Sequence, residues 1–128
     1  MTVLVAYNAS PQGEAALRAA VAEAGRRKQE LAVLVLTPQV AGAAVPADLA
    51  HLLDTVPNGV PVQPVAYRTE SQDVADAILD EAERLAADLV VIGSRKHSTV
   101  GTFLIGSTTQ QVLLDSPAPV LVVKATYS

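Results

Sequence analysis

The sequence predicts a single α/β domain, residues 1–128, with a five-stranded parallel sheet covered by helices on both faces. Five short aliphatic runs alternate with segments whose apolar residues recur at helical spacing. The runs are continuous rather than alternating, as strands buried on both faces must be. The hydrophobic half of the composition is aliphatic, with three Tyr, one Phe and no Trp, so small side chains let helices lie close to the sheet.

Val3 to Tyr7 is the first buried strand, and it runs into a turn at Asn8-Ala9-Ser10-Pro11. Ser10 is placed to cap a helix that has Pro11 at its first position. That helix carries Ala16, Leu17, Ala20, Val21 and Ala24 on one stripe and ends in Arg26, Arg27 and Lys28, where positive charge suits the dipole. Leu31 to Leu36 is the second strand, stopped by Thr37-Pro38. After an Ala/Gly/Pro-rich loop, Ala47 to Thr55 forms a short helix, and Pro57-Asn58-Gly59 turns the chain. Val60 to Arg68 is extended, but Pro61 and Pro64 remove ladder donors and confine it to a sheet edge. Ser71 is a candidate cap for the next helix, with Val74, Ala77, Ile78, Ala82 and Leu85 inward. Its acidic residues Asp73, Asp76, Asp80 and Glu81 read as a solvated face. Leu89 to Ile92 is the fourth strand, ending at Gly93. A helix is expected over roughly Phe103 to Ser116, and Val120 to Val123 is the last strand.

Composition excludes several classes. A net charge of −4 does not suit a nucleic-acid binder, which must neutralise phosphates, and few aromatics remain for base stacking. Without cysteine there is neither a disulfide framework nor a thiolate centre. No stretch approaches the ~20 apolar residues that span a bilayer. The expectation is a cytoplasmic protein with no membrane contact.

In open α/β sheets, ligands bind beyond the carboxyl ends of the strands. Two loops stand out there. One is Tyr7 to Ser10. The other runs from Gly93 to Thr102 and on into Gly106 to Thr109. In the second, Gly93 is read as a turning point that lets backbone approach a ligand. Ser94, Ser98, Thr99, Ser107 and Thr108 supply hydroxyls, and Arg95, Lys96 and His97 supply positive charge. The loop has neither the Gly-Lys-Ser/Thr of a Walker loop nor three closely spaced glycines. His51 reads as a surface residue, and no carboxylate in the loop orients His97 as an acid or base. Ser94 and Ser107 lie in no Gly-x-Ser-x-Gly elbow, and no histidine pair has metal-ligand spacing.

Residues Val90 to Val123 resemble the C-terminal signature of the universal stress protein family: Gly93, Gly106 and Ser107 match its glycine pattern, and Pro119 to Val123 its closing strand. The opening strand and Ser10-Pro11 are also similar, so the resemblance spans the chain. It implies a Rossmann-like fold of the adenine nucleotide alpha hydrolase type, with strand order 3-2-1-4-5. It also implies an adenine nucleotide, ATP or AMP, with Mg only where it accompanies ATP. The loop Gly93, Ser94, Arg95, Lys96, His97, Ser98 and Thr99 would wrap phosphates and ribose, joined by Gly106, Ser107 and Thr108. Ala6, Asn8 and Leu36 would meet the nucleoside. Three positions depart from the ATP-binding pattern: Asn8 replaces an aspartate, and Ala9 and Lys96 replace glycines.

The expected function is therefore a nucleotide-binding stress-response protein with no catalytic residues. A nucleotide-free dimeric adaptor of the same fold is the alternative that Asn8, Ala9 and Lys96 favour. A hydrolase or nucleotidyl transferase is disfavoured, because no acid/base or metal constellation is present. A homodimer is expected through Pro119 to Lys124, which the family topology places at the sheet edge and whose apolar Val120 to Val123 carries no protecting proline.

Overall fold

The five aliphatic runs become one parallel sheet with strand order β3-β2-β1-β4-β5. The computed structural model describes residues 1–38, 45–94 and 106–125. In chain order the elements are β1 (Thr2–Tyr7), α1 (Pro11–Arg27), β2 (Glu30–Val35), α2 (Ala47–Leu53), β3 (Ala66–Tyr67), α3 (Val74–Leu85), β4 (Leu89–Ser94), α4 (Ser107–Asp115) and β5 (Val120–Lys124). β1 lies at the centre, with Val5 opposite Val33 on one side and Val91 on the other.

Period-two alternation along these strands divides the core into two layers. Val3, Val5, Tyr7, Val33, Val35 and Val91 pack against Ala16, Leu17, Ala20 and Ala24 of α1, with Leu49 of α2 beside them. Leu4, Ala6, Leu34, Val90 and Ile92 face the other way, onto Ala75, Ile78 and Ala82 of α3 and Val112 of α4. Alanines dominate the helix faces, so the helices approach the sheet closely.

The helix ends follow from local chemistry. Ser10 is the α1 N-cap, with its Oγ accepting from Gly13 N–H at 3.0 Å. At the other end, Arg26 and Arg27 bond Glu23 and hold its carboxyl below the usual range. Ser71 does not cap α3. Asp73 does, two residues later, accepting from Asp76 N–H at 3.3 Å. The other acidic residues of that face, Asp76 and Asp80, are exposed, and Glu81 bonds Arg84.

Three extents differ from expectation. Of Val60 to Arg68, only Ala66 and Tyr67 pair regularly with β2, joined by one bridge between Val62 and Leu31. Pro64, which has no N–H, lies between these two contacts. β4 continues through Gly93 and Ser94, which pair with Val123 and Lys124, so the strand does not end at Gly93. The last helix begins at Ser107 rather than Phe103, with Gly106 extended at φ −65° and ψ 159° as its cap. Phe103 itself lies outside the described residues.

Candidate functional site

The chain leaves β1 towards β2 and leaves β4 towards β5, so the two connections diverge above the middle of the sheet. This is the topological switch point of an open α/β sheet, where ligands bind. A cleft of about 320 Å³ opens there.

One end of the cleft is apolar, formed by Ala6, Ile92, Leu36 and Val74. Arg68 fixes this wall. Its Nε donates to the Leu36 carbonyl at 2.7 Å and its Nη1 to the Gln72 carbonyl at 2.7 Å, tying the end of β2 to the approach to α3. The other end is polar, formed by Ser94 with Gly106, Thr108 and Thr109. α4 brings an uncapped N-terminus to it, with no side-chain cap and no acidic residue in the first turn. The first intrahelical bond here runs from Gln110 N–H to Gly106 O, leaving the earlier amides available to an anion. α1 is different: Ser10 and Glu14 already serve its first turn.

Asn8, Gln12 and Gly13 complete the lining. Ser10 Oγ donates to Asn8 Oδ1, which leaves the Asn8 amide N–H groups for the cleft. A Cβ on Gly13 would collide with the Asn8 carbonyl and Oδ1, so glycine is required for the loop to fold onto α1. Gly93 is required for the same kind of reason. A Cβ there would collide with the Gln12 carbonyl, so its role is close strand-to-helix packing rather than a sharp turn.

Among the described residues four buried side chains are polar, and three of them line this cleft: Ser94 at 3% exposure, Thr109 at 6% and Gln12 at 8%. None of the three makes a side-chain hydrogen bond among the described residues. The polar atoms sealed from solvent without a partner are Gln29 Oε1 and Tyr67 Oη, and neither residue lines the cleft. The three cleft groups are therefore unpaired yet open to an occupant.

Of the residues singled out in the sequence, Ala6, Asn8, Leu36, Gly93, Ser94, Gly106 and Thr108 meet in this cleft. Ser107 is exposed at the start of α4 and is not part of the lining. Arg95, Lys96, His97, Ser98 and Thr99 lie outside the described residues. Gln12, Gly13, Val74, Ile92 and Thr109 join the lining without having been singled out for it. Gln12 had one available signal, its place two residues after the Ser10 cap at the carboxyl end of the first strand. His51 is exposed on α2, as expected, in a separate groove with Tyr7 and Asp48. No three potential metal-ligating side chains are grouped among the described residues, and no helix there is long and apolar enough to cross a membrane.

Comparison with known proteins agrees with this architecture. The chain is 36% identical over 135 residues to a universal stress protein of Mycolicibacterium smegmatis, covering 95% of this chain and 96% of the relative. The structure of a universal stress protein from Archaeoglobus fulgidus is similar, with a TM-score of 0.70 at 26% identity over 97% of this chain and 98% of that one. An Arabidopsis thaliana protein of the family, solved with AMP bound, shares the fold with a TM-score of 0.65 at 24% identity, over 98% and 92% of the two chains. The sequence model of the universal stress protein family matches residues 1–124, and the chain belongs to that family.

Proposed function

We propose that this protein is a cytoplasmic stress-response protein that binds an adenine nucleotide, ATP or AMP, in the cleft between the ends of β1 and β4. The observation that carries the reading is the gathering of Gln12, Ser94 and Thr109, buried and unpaired, in one cavity. A polar ligand seated there would meet all three groups at once. The order of the cleft supports a nucleotide, since an apolar wall suits a base and an uncapped helix N-terminus suits a phosphate. The AMP named for the Arabidopsis relative supports the same class. Mg is expected only with ATP.

The protein is a binder rather than a catalyst in this reading. The described lining consists of amides, hydroxyls, backbone and aliphatic groups, none of which exchanges a proton near neutral pH. Calorimetric titration with ATP, ADP, AMP and cyclic AMP tests the proposal. Saturable binding of at least one is expected. If none binds at millimolar concentration, the nucleotide-free adaptor takes its place.

A homodimer through β5 is a second proposal, compatible with either reading. β5 is the terminal strand of the sheet, and beside it Leu114 is 76% exposed, with Leu113 and Leu121 also exposed. A strand of this kind favours pairing with its own copy about a two-fold axis.

A further inference from the structure

Gln12 lies in the first turn of α1, yet it is buried to 8% exposure, lines the cleft and makes no side-chain hydrogen bond among the described residues. A helix residue with a solvated face would leave a glutamine in water. Here the close approach of α1 to Gly93 sets the Gln12 backbone and Cβ against the strand end, and the residue joins the cleft lining instead.

Its level in the cleft is set by that contact. Gly93 stands between Ile92, part of the apolar wall, and Ser94, part of the hydroxyl end. The Gln12 backbone and Cβ pack against Gly93, so its side chain is anchored at the height of β4 that separates these two residues. In a nucleotide the covalent order is base, sugar, phosphate. With the base against Leu36, Val74 and Ile92 and the phosphate at Ser94 and α4, the sugar falls at the level of Gln12. A carboxamide has one acceptor and one donor group, which matches a vicinal diol: Oε1 accepts from one hydroxyl while Nε2 donates to the other.

Resting on the nucleotide reading above, we infer that Gln12 reads the ribose hydroxyls of the bound nucleotide and sets a preference for ribonucleotides over sugars lacking both hydroxyls. Asn8 is less suited to the role, because Ser10 Oγ already occupies one of the two lone pairs of its Oδ1.

The test compares AMP with 2′,3′-dideoxy-AMP on wild type and on Gln12→Met, a swap of similar length between good helix formers. Wild type is expected to prefer AMP about tenfold, the scale of one or two neutral hydrogen bonds. In Gln12→Met the preference of AMP over the dideoxy compound falls to about one. On wild type alone, the Gln12 side-chain amide resonances should shift with AMP and not with the dideoxy compound. Equal wild-type affinities, an equal loss of both ligands in Gln12→Met, or Gln12 amide shifts identical with both ligands would overturn the assignment. Failure of AMP itself to bind at millimolar concentration would instead remove the nucleotide reading on which it stands.

Discussion

A Cβ placed on Gly93 would overlap the carbonyl of Gln12, so the end of β4 and the first turn of α1 touch through backbone alone. Two residues 81 positions apart thereby fix the packing of α1 against the end of β4. Gly93→Ala should cost about 3 kcal/mol, at the upper end for overpacking, because backbone cannot move aside as a side chain can. The melting temperature should fall by roughly 10 °C. Gly59→Ala is the control, since nothing lies within 4 Å of a Cβ there. A Gly93→Ala variant as stable as the control would contradict the contact.

Ser10 bonds in two directions, accepting from Gly13 N–H and donating to Asn8 Oδ1. Ser10→Ala should therefore cost about 1–2 kcal/mol, read as a lower urea midpoint. Ser10→Thr keeps the hydroxyl and should recover most of the loss. A loss below about 0.3 kcal/mol in the alanine variant would mean the cap is not formed in solution.

The Tyr7 phenol is pushed above its ordinary range, first by burial and then by the carboxylates of Asp48 and Glu14. The folded protein then holds this proton to higher pH than the unfolded chain does. The contribution is fully present below the unfolded value of about 10 and is lost as pH rises through the folded one. Wild type should lose stability relative to Tyr7→Phe above about pH 10. Parallel urea midpoints for the two proteins from neutral pH into that range would refute the assignment.

Lys96, which lies outside the described residues, follows the last residue of β4 by two positions in the sequence. If its ammonium meets phosphate, Lys96→Ala should weaken ATP severalfold while adenosine is unaffected, because the charge-assisted bond is lost only with the phosphates. Equal effects on both ligands would show that the lysine does not touch them.

The Pro119 carbonyl accepts from Val90 N–H, so alternate residues of β5 turn their backbone groups towards β4. By that alternation Val122 N–H points to the open edge. Val122→Pro removes an edge donor without breaking the ladder to β4, and the mass in light scattering should shift from dimer towards monomer. A wild-type monomer at high micromolar concentration would end the dimer proposal.

Elements governed by neighbours in sequence were legible. Ser10-Pro11 announced the α1 cap, and the continuous aliphatic runs announced a doubly covered sheet. Where two local signals competed, composition alone did not choose between them: Ser71 and Asp73 both suit a cap, and Asp73, next to the helix, takes the role. Phe103-Leu104-Ile105 reads equally as helix or loop, so the start of α4 at Ser107 was not evident. Within the site, the glycines and hydroxyls after β4 drew attention by composition. Gln12 did not, because a polar residue in a first helical turn resembles any solvated one. What buries it is Gly93, and no local pattern connects the two.

The central place of β1 also bears on how the chain can fold as it is made. The first strand to leave the ribosome is the one that must be flanked on both sides, by β2 at Val33 and by β4 at Val91. A nascent chain ending before Leu89 has β1 with one bare edge, and its α1 lacks the strand that carries Gly93. Parallel pairings of such long sequence separation form slowly, and an unpaired aliphatic strand invites association with other chains. β1 gains its second neighbour only once β4 has been synthesised, so β1, α1 and β2 are the elements in need of protection during translation.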